Sequence, residues 1–307
     1  MKSSAIVWIM LALLFVSMLR IVNDIQPTEA TNGTIYIRAN GAIEPPEANV
    51  TTYDNTTYTF NGTNYYPIVV ERSNIIIDGN GFAVQGKKLY LSVGISLQNL
   101  SNVTIANVIV KDFWVGINLS STSDIKIFEN SILDNYDYGL LGYNTSKTII
   151  SGNQIAESSV GLSFRYSFND TISGNNITSN LNRGMNLVYS YNATISENTF
   201  SKTGACIAFY ISADNQIYGN NITESFRGIE LSNCNNTKIY QNNVTAQESD
   251  GISLYECRNI FLSDNLLNDN GYGLSVGGEE LDYYLHSIDT SNLVDGKPVY
   301  YLINQKT

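Results

Sequence analysis

Histidine and methionine are almost absent from this chain of 307 residues, which contains one His and four Met. Copper and zinc sites are built from clustered His, Cys or Met side chains. The single His286 and the only methionine beyond the N-terminal region, Met185, therefore argue against a site for either metal.

Basic residues are also scarce, with 17 Lys and Arg against 28 Asp and Glu and a formal net charge of −11. The field around such a protein repels nucleic-acid phosphates and anionic membrane surfaces. This balance argues against a nucleic-acid partner, and we expect a membrane contact only through the N-terminal segment.

Residues 1–30 differ in kind from the rest of the chain. Lys2 precedes an apolar run over residues 5–19, and a polar stretch continues to Ala30. This pattern is typical of a secretory signal peptide, and an uncleaved N-terminal anchor is the alternative. Fourteen Asn-x-Ser/Thr sequons agree with export and glycosylation. We expect a secreted or cell-surface glycoprotein.

Beyond this segment the chain repeats itself every 22 or 23 residues. A glycine that opens an apolar-polar-apolar triplet recurs at Gly94, Gly116, Gly139, Gly161, Gly184, Gly228, Gly251 and Gly273, with Cys206 in the remaining place. An asparagine column follows the same step at Asn130, Asn153, Asn175, Asn198, Asn220, Asn242 and Asn265. Such self-similarity is typical of a solenoid, in which each unit stacks on its neighbours.

Within each unit apolar residues alternate with polar ones, as Ile229 and Leu231 do around Glu230. Period two indicates strands, and each run is short and bounded by Gly, Asn, Ser or Asp. We predict an all-β, right-handed parallel β-helix of about nine coils. The predicted regions are a signal peptide or anchor (1–30), cap strands (31–72), the β-helix (73–278) and a C-terminal hairpin or the start of a further region (279–307).

The asparagine column is interpreted as structural. Asn tolerates a left-handed backbone at a tight turn, and its amide can bond to the asparagines of the adjacent coils as a ladder. Cys234 and Cys257 occupy one position in successive coils, which allows a disulfide or two buried thiols. Calcium binding is possible at a column of turn carboxylates, Asp134, Glu157, Glu224 and Asp269. Other residues interrupt this column, so we expect no cofactor.

The outward positions of the glycine-led strand form a ribbon on which sugar rings could stack and hydrogen-bond. The predicted carbohydrate-binding residues are Tyr143, Arg165, Tyr210, Glu230 and Tyr255. Catalysis would need convergent acids with a basic residue, for which only weak candidates exist: Glu230, Asp250 and Arg227. Arg227 and Asp250 share a column in adjacent coils, where a surface ion pair is the simpler interpretation.

The units NQIYGNNI, NATISENTF and GIELSNC resemble the right-handed β-helix repeats of the NosD-like, carbohydrate-binding and sugar-hydrolysis group, and the chain is similar to secreted archaeal members. The resemblance implies the fold and a relation to polysaccharides. It also carries an association with copper delivery, which the scarcity of His and Met disfavours. The NTD, DD, GHG and RIK signatures of polygalacturonate-cleaving helices and the DPHE motif of alginate epimerases are missing.

These observations favour an exported module that binds a polysaccharide or cell-surface glycan, or that serves a structural role. A polysaccharide lyase or glycoside hydrolase is the alternative. The oligomeric state is not predicted.

Overall fold

The computed structural model describes residues 33–303, so the predicted signal peptide or anchor lies outside the described residues. The chain winds into a parallel β-helix in which successive strands join three sheets of 12, 11 and 12 strands. Each coil adds one strand to each sheet, and the right-handed parallel β-helix predicted from the repeat is confirmed. Within residues 33–303, no helix is long and apolar enough to cross a membrane.

The first sheet contains the longest strands and is called the long-strand sheet. It begins with Ile43–Glu44, Ile35–Ile37 and Ile68–Val70 and continues with nine strands of six residues: Val93–Gln98, Val115–Ser120, Tyr138–Tyr143, Val160–Arg165, Arg183–Val188, Ala205–Tyr210, Arg227–Ser232, Asp250–Tyr255 and Tyr272–Gly277.

The other two sheets are built from shorter strands. The second sheet contains Val50–Thr51, Thr57–Phe60, Ile75–Asp78, Val103–Ala106, Lys126–Phe128, Ile149–Ser151, Thr171–Ser173, Thr194–Ser196, Gln216–Tyr218, Lys238–Tyr240, Phe261–Ser263 and Ser287–Ile288. The third contains Ala83–Gln85, Ile109–Lys111, Ser131–Leu133, Gln154–Ala156, Asn176–Thr178, Thr199–Ser201, Asn221–Thr223, Asn243–Thr245, Leu266–Asn268, Leu293–Val294 and Lys297–Pro298.

Apolar residues predicted to face inward stack between the sheets. Leu162 pairs in register with Leu140 on one side and Met185 on the other, and all three are fully buried. The column glycines are explained by the same stacking, because a Cβ at Gly116 would lie 2.5 Å from the carbonyl oxygen of Gly139 in the next coil. Removing this apolar surface from water is the main driving force for stacking coils.

The asparagine column forms a continuous ladder of buried side chains. Asn153 Nδ2 donates to Asn175 Oδ1 at 2.9 Å, and Asn175 Nδ2 donates to Asn198 Oδ1 at 2.9 Å. Each amide also caps backbone groups, as when Asn175 Nδ2 donates to the carbonyl of Ile150 at 3.0 Å. The ladder ends at Asn292, which accepts from Asn265 Nδ2 at 2.8 Å.

The left-handed backbone expected at these asparagines lies one residue earlier. Glu129, Gly152 and Gly174 have φ of 56°, 65° and 62°, whereas none of the ladder asparagines has a positive φ. The turn therefore bends just before the ladder, which leaves the asparagine free to point inward and bond from coil to coil.

The cysteines are free thiols and all three are buried, so the disulfide alternative is not formed. Cys234 Sγ contacts the carbonyl oxygen of Phe209 at 3.4 Å, and Cys257 Sγ contacts that of Leu231 at 3.5 Å. Both sulfurs contact carbonyl oxygens of the preceding coil, and the two thiols also lie within hydrogen-bonding reach of each other. Burial raises the pKa of the Cys206 thiol to about 11.

The β-helix has about eleven coils rather than nine, because the region predicted as a cap already coils. Ile35–Ile37 pairs in parallel with Ile68–Val70, which pairs in turn with the first six-residue strand. Two antiparallel pairs close this end, formed by Ile43–Glu44 and by Val50–Thr51.

At the other end lie a short 3-10 helix, Leu281–Tyr284, and a hairpin. Leu293–Val294 pairs antiparallel with Lys297–Pro298 around Asp295 and Gly296, whose φ are 48° and 73°. Positive φ at both central residues is typical of the two-residue turn that matches strand twist.

Candidate functional site

The outer face of the long-strand sheet carries the side chains that the sequence singled out. Tyr143, Arg165 and Tyr210 occupy one column of this face, with Val188 between the last two, and Tyr255 lies two coils further along. Adjacent coils are ~4.8 Å apart. Tyr143 and Arg165 are therefore direct neighbours, whereas Tyr255 belongs to a distant part of the ribbon.

Two tyrosines at the turn leaving these strands, Tyr166 and Tyr189, are called the exit tyrosines. Their rings stack with centroids 5.0 Å apart and planes at 10°, and Tyr143 meets the Tyr166 ring edge-on at 5.6 Å. The Arg165 guanidinium lies 5.0 Å from the Tyr166 centroid and 5.9 Å from that of Tyr189. Arg165 is only 5% exposed, so it supports the rings from beneath.

The backbone of both exit tyrosines is left-handed, with φ of 54° and 52°. Asn99 and Asn144 occupy the same turn in earlier coils with φ of 55° and 52°. Asn is enriched in this conformation, while a bulky residue there is an outlier that costs free energy. Strain of this kind concentrates at functional sites.

A second aromatic group lies at the turn entering the long strands and is called the entry aromatics: Tyr90, Trp114 and Tyr136. Trp114 stacks on Tyr136 with centroids 4.4 Å apart and meets Tyr90 edge-on at 4.8 Å. Tyr90 is 73% exposed and Tyr136 is 59% exposed. Aromatic side chains thus lie at both ends of the long strands: the entry aromatics before them and the exit tyrosines after them.

The floor between the two aromatic groups is mixed in polarity. Asn118, Leu141, Ser163 and Asn186 occupy its central column and are all buried. Asp137 lies just before the strand that contains Leu141, and burial raises the pKa of its carboxyl above its usual range. The neighbouring Trp114 side chain opposes this shift by favouring the carboxylate.

Tyr210 and Glu230 belong to a separate polar group further along the sheet. Arg183 Nη2 donates to the Tyr210 hydroxyl at 2.8 Å. Burial, reinforced by Glu230, raises the pKa of Tyr210 to about 12, so this phenol stays protonated at neutral pH. Tyr210 is held by its neighbours and does not present a free ring to a ligand.

The weak catalytic candidates lie together in this group and pair with one another. Arg227 lies 3.8 Å from Glu230 and 3.7 Å from Asp250, and Ser249 Oγ donates to Asp250 at 3.0 Å. Ser275 Oγ also donates to Asp250. Ion pairs of this length at a partly exposed surface are worth ~0 to 1 kcal/mol. Arg227, Glu230 and Asp250 therefore form ion pairs with one another, which is not the arrangement of a general acid and a general base directed at a substrate.

Metal binding receives no support from the described part of the chain, residues 33–303. No group of three or more His, Cys, Asp or Glu is placed there to hold an ion. The turn carboxylates considered for calcium have left-handed backbones at the turn after the third sheet, as at Asp134 with φ of 53° and Glu157 with φ of 61°. Asp134 is bound by Lys88 Nζ at 2.6 Å.

The exit tyrosines and the entry aromatics were not predicted from the sequence, because they lie in turns outside the glycine-led strands. One signal was present. A turn column of small or polar residues changes to Tyr at positions 166 and 189 and to Ile at position 211, although each has a positive φ.

Comparison with known proteins identifies the family. The family described as right handed beta helix region matches residues 22–167, 94–224 and 139–287. The chain belongs to this right-handed β-helix family. No curated protein matches its sequence.

Solved structures of β-helices resemble it in fold. The periplasmic alginate epimerase AlgG superposes with a TM-score of 0.62 at 16% identity, covering 86% of this chain and 82% of that chain. A single-substitution mutant of AlgG superposes with a TM-score of 0.60 at 18% identity, covering 76% of this chain and 65% of that one. The β-helix chain thus spans slightly less than two thirds of that neighbour.

The catalytic unit of a thermostable GH87 α-1,3-glucanase from Streptomyces thermodiastaticus strain HF3-3 superposes with a TM-score of 0.56 at 12% identity, covering 89% of this chain and 71% of that chain. At these identities the likeness shows the fold alone.

Proposed function

We propose that this β-helix protein is exported and binds an extended polysaccharide across the outer face of its long-strand sheet. The ligand lies diagonally between the entry aromatics and the exit tyrosines, over the floor that contains Asn118 and Ser163. Pyranose rings stack on aromatic side chains, and buried amide and hydroxyl groups between two aromatic walls provide oriented hydrogen bonds.

The observation that carries the proposal is the stacked pair of exit tyrosines in a left-handed backbone. An asparagine fits this turn without strain, as at Asn144. Two successive tyrosines, supported by the Arg165 guanidinium, thus occupy a turn position at which asparagine would cost less free energy. The names of the structural neighbours, an alginate epimerase and a glucanase, agree with a polysaccharide as ligand.

A polysaccharide lyase or hydrolase is the second candidate function, favoured by one observation. Asp137 combines partial burial, a raised carboxyl pKa and a place beside Trp114 at the edge of the floor. A single acid without a partnered base or nucleophile supports binding better than bond cleavage. For the NosD-like alternative, copper delivery, residues 33–303 provide one histidine, His286, one buried methionine, Met185, and three buried cysteines.

The test begins with a glycan array probed with the full chain. Each polysaccharide that binds is then incubated with the protein while absorbance for unsaturated products and reducing ends are followed. Retention without product is the expected result. Product that disappears in Asp137→Asn would make the protein an enzyme, and absence of any binding would overturn the proposal.

A further inference from the structure

The asparagines of this chain form two populations that differ in burial and in sequence context. The seven ladder asparagines are buried, and none begins an Asn-x-Ser/Thr sequon. Thirteen sequons begin within residues 33–303, and twelve of their asparagines are exposed: Asn49, Asn55, Asn61, Asn99, Asn102, Asn144, Asn169, Asn176, Asn192, Asn221, Asn235 and Asn243. The remaining one, Asn118, is 7% exposed.

The exposed sequons avoid the outer face of the long-strand sheet. Asn176, Asn221 and Asn243 begin strands of the third sheet, with the sequon threonine at the third position of each strand. Asn169 and Asn192 lie at the turn before the second sheet. The only sequon on the outer face of the long-strand sheet is that of the buried Asn118.

The first residue of the turn leaving the long strands also changes along the β-helix from a sequon asparagine to a residue that cannot be glycosylated. Asn99 and Asn144 begin sequons there, and the following coils put Tyr166, Tyr189 and Ile211 at the equivalent place. From Tyr166 onward the residue at this place begins no sequon, and the sequons of the same turn begin further along it, at Asn169, Asn192 and Asn235. Acceptor sites therefore lie in the turn next to the exit tyrosines, whereas the strands that carry the aromatic part of the proposed binding face, Val160–Arg165 and Arg183–Val188, contain none.

We propose that N-linked glycans coat the second and third sheets and the adjoining turns, and leave the outer face of the long-strand sheet bare as the face that meets a large ligand. The modified groups are the exposed sequon amides, and Asn118 stays unmodified. This inference rests on the proposed function for the role of the bare face, whereas the pattern of modification stands by itself.

Intact glycopeptide mass spectrometry on the chain secreted by its own host tests the pattern. Glycans are expected on exposed sequons of the third sheet and of the turns, with unmodified Asn118 as an internal control. A glycan on Asn118, or a chain without any glycan, would overturn the proposal.

A designed acceptor tests the role of the bare face. Ile211→Asn with Ala213→Ser creates a sequon at the turn beside Tyr189, and Ile211→Asn alone supplies the same backbone residue without an acceptor. The glycosylated double variant should lose binding to the array polysaccharide by at least about tenfold, while the single variant keeps it. If both variants bind equally well with the new site occupied, the face is not the ligand face, although the native glycan pattern stands.

Discussion

Two corners of each coil obey different rules. At the corner between the second and third sheets, the same residue type recurs in every coil from Asn130 to Asn265 and bonds upward and downward without interruption. At the corner leaving the long strands the residue changes from Asn144 to Tyr166, Tyr189 and Ile211, although the backbone keeps nearly the same φ. Repetition marks what holds the coils together, and the break in repetition marks where this chain does something of its own.

The ladder corner should be the most sensitive part of the molecule. Asn175 accepts from the backbone N–H and the Nδ2 of Asn153 at 3.0 and 2.9 Å, and its own amide donates to three oxygens. Asn175→Ala leaves several of these buried groups unpaired, at ~1 to 3 kcal/mol each before relaxation. We expect a loss of about 3 to 5 kcal/mol in the free energy of unfolding, measured by chemical denaturation.

The adjacent Asn176 is a matched control, since it is exposed and outside the ladder. Asn176→Ala should change stability by less than ~0.5 kcal/mol. Equal losses for the two variants would contradict the structural role of the ladder.

A third column of residues lies at the turn before the second sheet and is buried. It contains an asparagine, Asn215, in one coil and an aspartate, Asp170, in another. Asn215 Oδ1 accepts from the N–H of Ala193 at 2.8 Å, and its Nδ2 donates to the carbonyl of Ser190 at 3.2 Å. Two coils earlier Asp170 accepts from the N–H of Thr148 at 2.8 Å but has a carboxyl where Asn215 has an amide. Burial raises the pKa of the Asp170 carboxyl.

Asp170→Asn should therefore stabilise the protein by roughly 1 kcal/mol at neutral pH. A raised carboxyl pKa means that the wild-type protein loses stability as pH rises from the unfolded value of ~3.9 through the folded value. The gain of the variant should accordingly vanish below the unfolded pKa. Thermal unfolding from pH 3 to 8 checks this, and a variant less stable than wild type at pH 7 would contradict the assignment of Asp170 as a strained acid.

The exit corner should respond least in stability and most in binding. Tyr189→Asn gives the turn the residue that Asn144 has, so strain is relieved while ring packing is lost. We expect stability to stay within ~1 kcal/mol of wild type and binding to the polysaccharide to weaken. A destabilised variant that still binds would mean that the ring serves packing alone.

The sequence predicted what repeats and missed what occurs once. The glycine and asparagine columns and the inward stacks follow from one periodic pattern, because steric and hydrogen-bonding demands return at every coil. The first two coils were not predicted, because hairpins at Ile43 and Val50 interrupt the repeat there. The ladder residue Asn292 was also not predicted, because it follows Asn265 by 27 residues rather than by 22 or 23.

The binding face was only partly predictable. Alternation identified Tyr143 and Arg165 as outward, yet it also selected Tyr210, whose hydroxyl is bound by Arg183. The exit tyrosines lie in a turn, and only the three-dimensional stacking of successive coils brings them against Arg165. The periodicity predicts which side chains point outward, but it does not predict which of these side chains contact one another.

The most direct test compares two tyrosine pairs of matched geometry. Tyr166 and Tyr189 stack at 5.0 Å and 10° beside the long-strand sheet, and Tyr218 and Tyr240 stack at 4.8 Å and 10° on the second sheet. Binding isotherms for the array polysaccharide should show a loss of about tenfold or more, ~1.4 kcal/mol, for Tyr166→Ala with Tyr189→Ala. Tyr218→Ala with Tyr240→Ala should bind as wild type does. Equal affinity in both double variants, with both folded by circular dichroism, would contradict a ligand site on the long-strand sheet.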